Sequence, residues 1–199
     1  NIEVDVELVD DLPKVVKAFK RTNIQSLIRA NGWNTEQLSD FIEDKLDDVV
    51  NILTIMNNKN VVLRLYEALK ERGIKVYHLS TAMCAAHRKV MINEIRNKLK
   101  TNERFVCVST QLIEAGVDVS FDCVMRSLAG VDSIAQAAGR CNRHGEKELK
   151  TVYVFNHAEE NVSRLKTIQE GAICAKRIIE DIEKDENLFT GDLLSPEAI

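Results

Sequence analysis

The stretch QAAGRCNRHGE, residues 136–146, places Gln136, Arg140 and Arg143 at intervals of four and three. Residues three and four apart on a helix share a face. The spacing therefore predicts three polar side chains projecting together from a short helix over DSIAQAAGRCNRH. A guanidinium stays charged at physiological pH, and its planar fork matches two oxygens of a phosphate. Gly139, directly before the first arginine, lets a ligand or another backbone approach closely. The predicted chemistry is a grip on phosphate oxygens; the plain alternative is a solvated helix face. Apolar Ile134, Ala135 and Ala138 beside the charges, and an apolar strand just before them, weigh toward the grip. Arginines delivered to a transferring γ-phosphate are worth about 10³–10⁵ in rate.

Two further stretches carry phosphate chemistry. In STQLIEAGVDV, residues 109–119, Ser109 and Thr110 leave a strand with hydroxyls and backbone amides suited to a phosphate oxygen. Glu114 and Asp118 flank Gly116, where a carboxylate could take hydrogen bonds from a sugar hydroxyl, tie down an arginine, or simply face solvent from a capped turn. In YHLSTAMCAAHRK, Ser80 and Thr81 precede a helix bearing His87, Arg88 and Lys89. Phosphate contact and an ordinary Ser/Thr helix cap explain these two residues equally well.

The elements that must position these residues alternate along the chain. IEVDVELV has the two-residue period of a half-exposed strand, and residues 12–48 read as helix, interrupted at Asn31-Gly32. VVNILTIM is an apolar run typical of a strand buried on both faces. Asn57 and Asn58 offer caps to a helix that ends on Gly73. Strands over IKVYHLS, RFVCVST, FDCVMRS and KTVYVFN follow, with helices at 84–100 and after Ala129, and a long amphipathic helix over 161–184. This alternation predicts an α/β fold, a mostly parallel sheet with helices on both faces, whose ligands gather beyond the carboxyl ends of the strands.

Composition narrows the class. The chain of 199 residues is 45% hydrophobic and 29% charged, ordinary for one globular domain. A net charge of −4 argues against a globally basic nucleic-acid wrapper, though not against a local basic groove. The five cysteines are widely spaced and form no Cys-x-x-Cys pair, so reduced thiols in a cytoplasmic protein are expected. No apolar run approaches the roughly 18 residues of a membrane span, so no membrane partner is expected. His78, His87, His144 and His157 have no metal-ligand spacing, and no metal site is expected. The sequence has no Gly-x-x-x-x-Gly-Lys-Ser/Thr loop to cradle a β-phosphate. It opens on Asn, which suggests a piece of something longer.

STQLIEAGVDVSFD followed by DSIAQAAGRCNRHGE resembles motifs V and VI of superfamily 2 helicases, and more closely those of the helicase–nuclease of type I CRISPR systems. NILTIMNNK and VYHLSTAMCAAHR are similar to that family's preceding segments, so the resemblance covers about residues 50–157. It implies a RecA-like (P-loop NTPase-type) helicase domain 2 over 49–160, with an opening strand and inserted helices over 1–48. Residues 161–199 would be a long helix and the start of a C-terminal extension.

The resemblance also implies roles. Arg140 and Arg143 would be arginine fingers supported by Gln136, and Gly116, Asp118 and Gly139 would lie on the ATP side. Ser80, Thr81, Thr110 and Gln111 would contact single-stranded DNA. ATP and Mg²⁺ would be held mainly by the N-terminal RecA-like domain of the same protein, and an RNA-guided CRISPR surveillance complex would be a partner. The histidine–aspartate nuclease of the family has no counterpart in this chain. Ala137, where many relatives carry an arginine, and Ala115-Gly116-Val117 depart from the family pattern. The expectation is the C-terminal half of an ATP-dependent, strand-translocating DNA helicase, inactive alone. Its rivals are another superfamily 2 translocase on RNA or duplex DNA, and a non-catalytic nucleotide- or protein-binding module on the same fold.

Overall fold

Six strands form one sheet in the computed structural model, which describes residues 15, 20–114, 117–145, 148–163, 165–195 and 198. They are β1 (Thr22–Ser26), β2 (Asn51–Ile55), β3 (Val76–Leu79), β4 (Phe105–Ser109), β5 (Cys123–Ser127) and β6 (Lys150–Phe155). The order is β1-β6-β5-β2-β4-β3, and every pairing is parallel. The helices are α1 (Thr35–Lys45), α2 (Lys59–Glu71), α3 (Ala85–Lys100), α4 (Val131–Ala138) and α5 (Lys166–Lys184).

Alternation along the central strands supplies two cores. Ile52, Val106, Val108, Cys123 and Met125 face α1 and α2, meeting Leu38, Ile42, Val61, Leu65 and Leu69. Leu53, Ile55, Phe105, Cys107 and Val124 face the other way, meeting Ile95 of α3 and Ala137 of α4. Val154, Ile134, Ala175 and Ile179 add a third cluster under α5. Burial of β2, β4 and β5 along their whole length explains why they read as apolar runs without alternation.

Three local expectations are corrected. The alternating segment at 2–9 lies outside the described residues, but the helix expected over 12–48 gives way to β1 at Thr22–Ser26. TNIQS carries one apolar residue and is half-exposed at the sheet edge, so its pairing with β6 leaves little hydropathy signal. The long helix begins at Lys166, not 161. The helix over DSIAQAAGRCNRH stops at Ala138, with consequences for the arginines. Other local signals held: Asn58 caps α2 by accepting from the Asn60 amide, and Gly73 ends it with φ +77°. Asn34 and Gln37 form a reciprocal capping box on α1.

The loop between β1 and α1 is tied down by β6. Asn156 accepts from the Arg29 amide at 2.8 Å and donates to its carbonyl at 2.7 Å, while the Arg29 guanidinium stacks 3.3 Å from the Trp33 ring centroid. Gly32 has φ +68°, and a Cβ there would lie 2.7 Å from the Ala158 amide nitrogen. Gly32→Ala should therefore cost about 1–3 kcal/mol, read as a lowered urea midpoint at unchanged m-value.

Candidate functional site

A parallel sheet gathers all strand carboxyl ends on one edge and all amino ends on the other. The predicted residues divide between these edges. Ser80 follows β3, Thr110 and Gln111 follow β4, and Asn57 follows β2, all on the carboxyl edge. Arg140 and Asn142 instead bond to Phe121, just before β5, on the amino edge, in a bridge that sets Cys141 opposite Phe121. The expectation that all ligand-binding residues gather at the carboxyl edge is thus corrected. A five-residue strand separates the two groups, about 17 Å.

The arginines do not sit on one helix with Gln136, as their spacing predicted. α4 ends at Ala138, with Gly139 exposed at its C-cap, and the chain turns immediately. The Arg140 and Cys141 amides bond back to the Ala137 and Ala138 carbonyls, both at 2.9 Å. Phe121 donates its amide to the Arg140 carbonyl at 2.8 Å, and its own carbonyl accepts from the Asn142 amide at 3.2 Å. Asn142 takes the left-handed φ of 49° and donates its side-chain amide to the Arg21 and Glu148 carbonyls, both at 2.9 Å. This turn, and not a helix face, aims the guanidinium groups. Gln136 stays exposed on α4.

Both arginines nevertheless reach the same segment. Arg140 is 9% exposed, and its guanidinium donates to the Ile113 carbonyl at 3.0 Å and the Glu114 carbonyl at 2.6 Å. Burial, then the neighbouring Arg143 charge, lower its pKa from the usual value, and Asp118 opposes them. Arg143 is half-buried; its Nε pairs with exposed Asp118 Oδ1 at 2.8 Å, and its amide donates to Ser120 Oγ at 3.0 Å. Gly116 lies outside the described residues. Sequence reasoning missed Arg96, whose Nε donates to the Asp118 carbonyl at 3.2 Å, and Arg21, which donates to the Arg143 carbonyl at 2.6 Å. Neither belongs to a motif, so only the fold could find them. Beside them a cleft of about 410 Å³ is lined by Arg96, Lys100, Asp118 and His144 among others.

On the carboxyl edge, two further expectations are corrected. The Thr110 amide is not free; it donates to the Leu79 carbonyl at 3.1 Å. Ser80 and Thr81 do not cap α3, because the N-cap is exposed Cys84. Ser80 is buried, and its Oγ accepts from the Ala82 amide at 3.2 Å within the turn, while Thr81 is exposed. Thr110 is 7% exposed, and its Oγ1 has no hydrogen-bond partner among the described residues.

The carboxyl edge also holds a buried polar network. Arg126, at the end of β5, is 0% exposed, and its Nε pairs with Glu114 Oε1 at 2.7 Å. Its Nη1 donates to Asn57 Oδ1 at 2.8 Å and to the Ser127 carbonyl at 2.6 Å. Glu160 accepts from the Asn57 and Asn58 amides at 2.5 and 3.0 Å and from the Ser127 hydroxyl. Glu114 thus ties down an arginine, as one reading of its position anticipated, and does not face solvent. Burial raises the Glu114 pKa and lowers that of Arg126, while their mutual attraction opposes both shifts. Losing one partner of such a pair costs about 3–5 kcal/mol, because the other charge is left buried alone.

A six-stranded parallel sheet flanked by helices, with arginines on the turn after α4, defines a RecA-like helicase domain. T. fusca Cas3 shares this fold, with a TM-score of 0.67 at 16% identity over 82% of this chain and 22% of that one. Residues 48–146 match the family model "CRISPR-associated nuclease/helicase Cas3, C-terminal". The "CRISPR-associated nuclease/helicase Cas3" of Methanothermobacter thermautotrophicus is 25% identical over 171 residues, 82% of this chain and 20% of that protein. The protein so named from Haloferax volcanii is 55% identical over 60 residues, 30% of this chain and 6% of its own length. The chain belongs to this Cas3 family and carries its C-terminal RecA-like helicase domain. It spans a fifth or less of the length of these curated relatives.

Because neither Ser80 nor Thr81 caps α3, Thr81→Ala should change stability by less than about 0.5 kcal/mol. Loss of a true cap would cost about 1 kcal/mol. Urea denaturation distinguishes the two, and a cap-sized loss would restore the capping role.

Proposed function

We propose that this chain is the second lobe of an ATP-dependent motor that translocates along single-stranded DNA during CRISPR interference. The observation that carries the reading is the division of the site between edges. Arg140 and Arg143 stand on the turn at the amino edge and reach residues 113, 114 and 118 of the segment that crosses between the edges, and Thr110, Gln111, Ser80 and Thr81 lie at the carboxyl edge. A motor needs this separation, since one surface must answer to nucleotide while another grips the strand.

Within this reading Arg143 and Arg140 stabilise charge developing on a phosphate that a companion lobe presents. Gln136, Gly139 and Asp118 shape the same surface, and Gly116 is assigned to it from the motif alone. Thr110 Oγ1, buried and without a partner among the described residues, donates to a backbone phosphate oxygen, and exposed Thr81 contacts the strand alongside it. Of the ATP–magnesium pair, this chain's residues fit the phosphates and not the ion. Asp118 is engaged by Arg143 and Asp122 by Lys150, and no phosphate loop occurs in the sequence. When bound, magnesium would supply charge neutralisation on the phosphates from the companion lobe.

Single-stranded-DNA-stimulated ATPase of the intact protein tests the assignment. Arg143→Ala should lower turnover by about 10²-fold or more, in line with other arginine fingers. Near-normal turnover would remove Arg143 from the chemistry. The 199-residue chain alone should show no ATPase above the level of a heat-treated control, and clear turnover by the purified piece would refute the two-lobe reading.

A further inference from the structure

Arg140 occupies an unexpected position for a group meant to meet a phosphate. It is stowed: its Nε and Nη2 donate to the Ile113 and Glu114 carbonyls, and only 9% of the residue is exposed. Those two carbonyls belong to the single 3-10 turn after β4, Gln111–Ile113, and to its C-cap. The turn is short and closed by one bond, from the Glu114 amide to the Gln111 carbonyl at 3.0 Å. A lone 3-10 turn is a weak element, so something else must hold its carbonyls toward Arg140.

That holder is the Glu114 side chain. The same residue whose carbonyl receives Arg140 sends its carboxylate to fully buried Arg126 at 2.7 Å. Arg126 is fixed in turn by Asn57 Oδ1 at 2.8 Å, and Asn57 also lies 3.5 Å from Gln111 Nε2. The first residues of the segment, Thr110 and Gln111, are those proposed to meet the strand. Thr110 Oγ1 and Arg126 Nη2 are both buried without a hydrogen-bond partner among the described residues. A ligand oxygen arriving at Thr110 therefore acts on a turn whose far end grips Arg140.

We propose that the buried Glu114–Arg126 pair is a latch that keeps Arg140 stowed, and that a nucleic-acid phosphate engaging Thr110 and Gln111 shifts the turn and releases it. Glu114 and Arg126 are positioning residues: they touch neither nucleotide nor strand and act through the 113–114 carbonyls. An ion pair at this depth contributes little to stability relative to apolar residues of the same volume. What it contributes here is a fixed carbonyl geometry that one displacement can change. The release step rests on the motor reading above, whereas the stowing does not.

Arginine-selective labelling with phenylglyoxal, mapped by mass spectrometry on the intact protein without nucleotide, reads both halves. In the wild type Arg140 should react slowly and half-buried Arg143 quickly, the latter serving as internal reference. Glu114→Gln, and the charge-free double variant Glu114→Gln with Arg126→Met, should each raise Arg140 labelling about tenfold, within the usual range of coupling between sites. Oligothymidylate should do the same in the wild type, an arm that needs no variant to fold. In ATPase assays the folded variants should lose most of the ratio between DNA-stimulated and basal rates, a readout that simple loss of stability does not move. A folded Glu114→Gln protein with Arg140 as protected as in the wild type overturns the latch. Unchanged Arg140 labelling with saturating oligothymidylate overturns its release by DNA. Absence of DNA-stimulated ATPase in the intact wild-type protein sinks the motor reading while leaving the labelling results to decide the stowing.

Discussion

Parallel pairing throughout the sheet is the constraint on which everything else depends. It makes the two edges chemically different and puts a strand's length of packed backbone between them. A chain that must answer at both edges then needs a covalent path across the sheet face. Residues 110–122 are that path, leaving the carboxyl end of β4 and arriving at the amino end of β5. Thr110, Gln111 and Asp118 lie on this path, and four arginines bond to it. Arg140 takes its carbonyls, Arg143 its Asp118 side chain, Arg96 its Asp118 carbonyl, and Arg126 its Glu114 carboxylate.

Electrostatics along this path are graded by burial. Glu114 with Arg126 sits in the interior, where desolvation outweighs attraction for both partners. Asp118 with Arg143 sits at the surface, at 69% and 40% side-chain exposure, where water screens the pair and either partner can be exchanged cheaply. The inner pair suits a fixed frame and the outer pair a contact that a competing anion displaces. Other exposed ion pairs, such as Arg72 of the α2 C-cap with Asp40 and Glu43 of α1, join helices on the far face and take no part in either edge.

The fold was legible where burial makes a strand uniform. VVNILTIM could hardly be other than a central strand, and β2 lies between β5 and β4, buried throughout. TNIQS hid because an edge strand needs only one apolar contact and takes its hydrogen bonds from a neighbour far along the chain. The arginine spacing suggested a helix face, yet Gly139 and Asn142 were the better signals. The first closes α4 and the second adopts φ 49°, so together they spell a turn. The convergence of the arginines was anticipated, but its cause was the bridge to Phe121, which no local pattern encodes. Arg126 was invisible because a buried arginine at a strand end looks like any polar residue leaving a sheet.

The sheet's outermost partner has a consequence for biogenesis. Among the described residues β1 pairs only with β6, and Thr22 meets Lys150 across that ladder. During vectorial synthesis at about 5–20 residues per second, β1 emerges roughly ten seconds before its neighbour exists. Its hydrogen-bonding edge and the Trp33 loop docked on Asn156 must wait unsatisfied for that interval. The nascent polypeptide is thus a natural client for holding chaperones, and premature termination after the arginine turn would release an unzipped sheet margin prone to self-association.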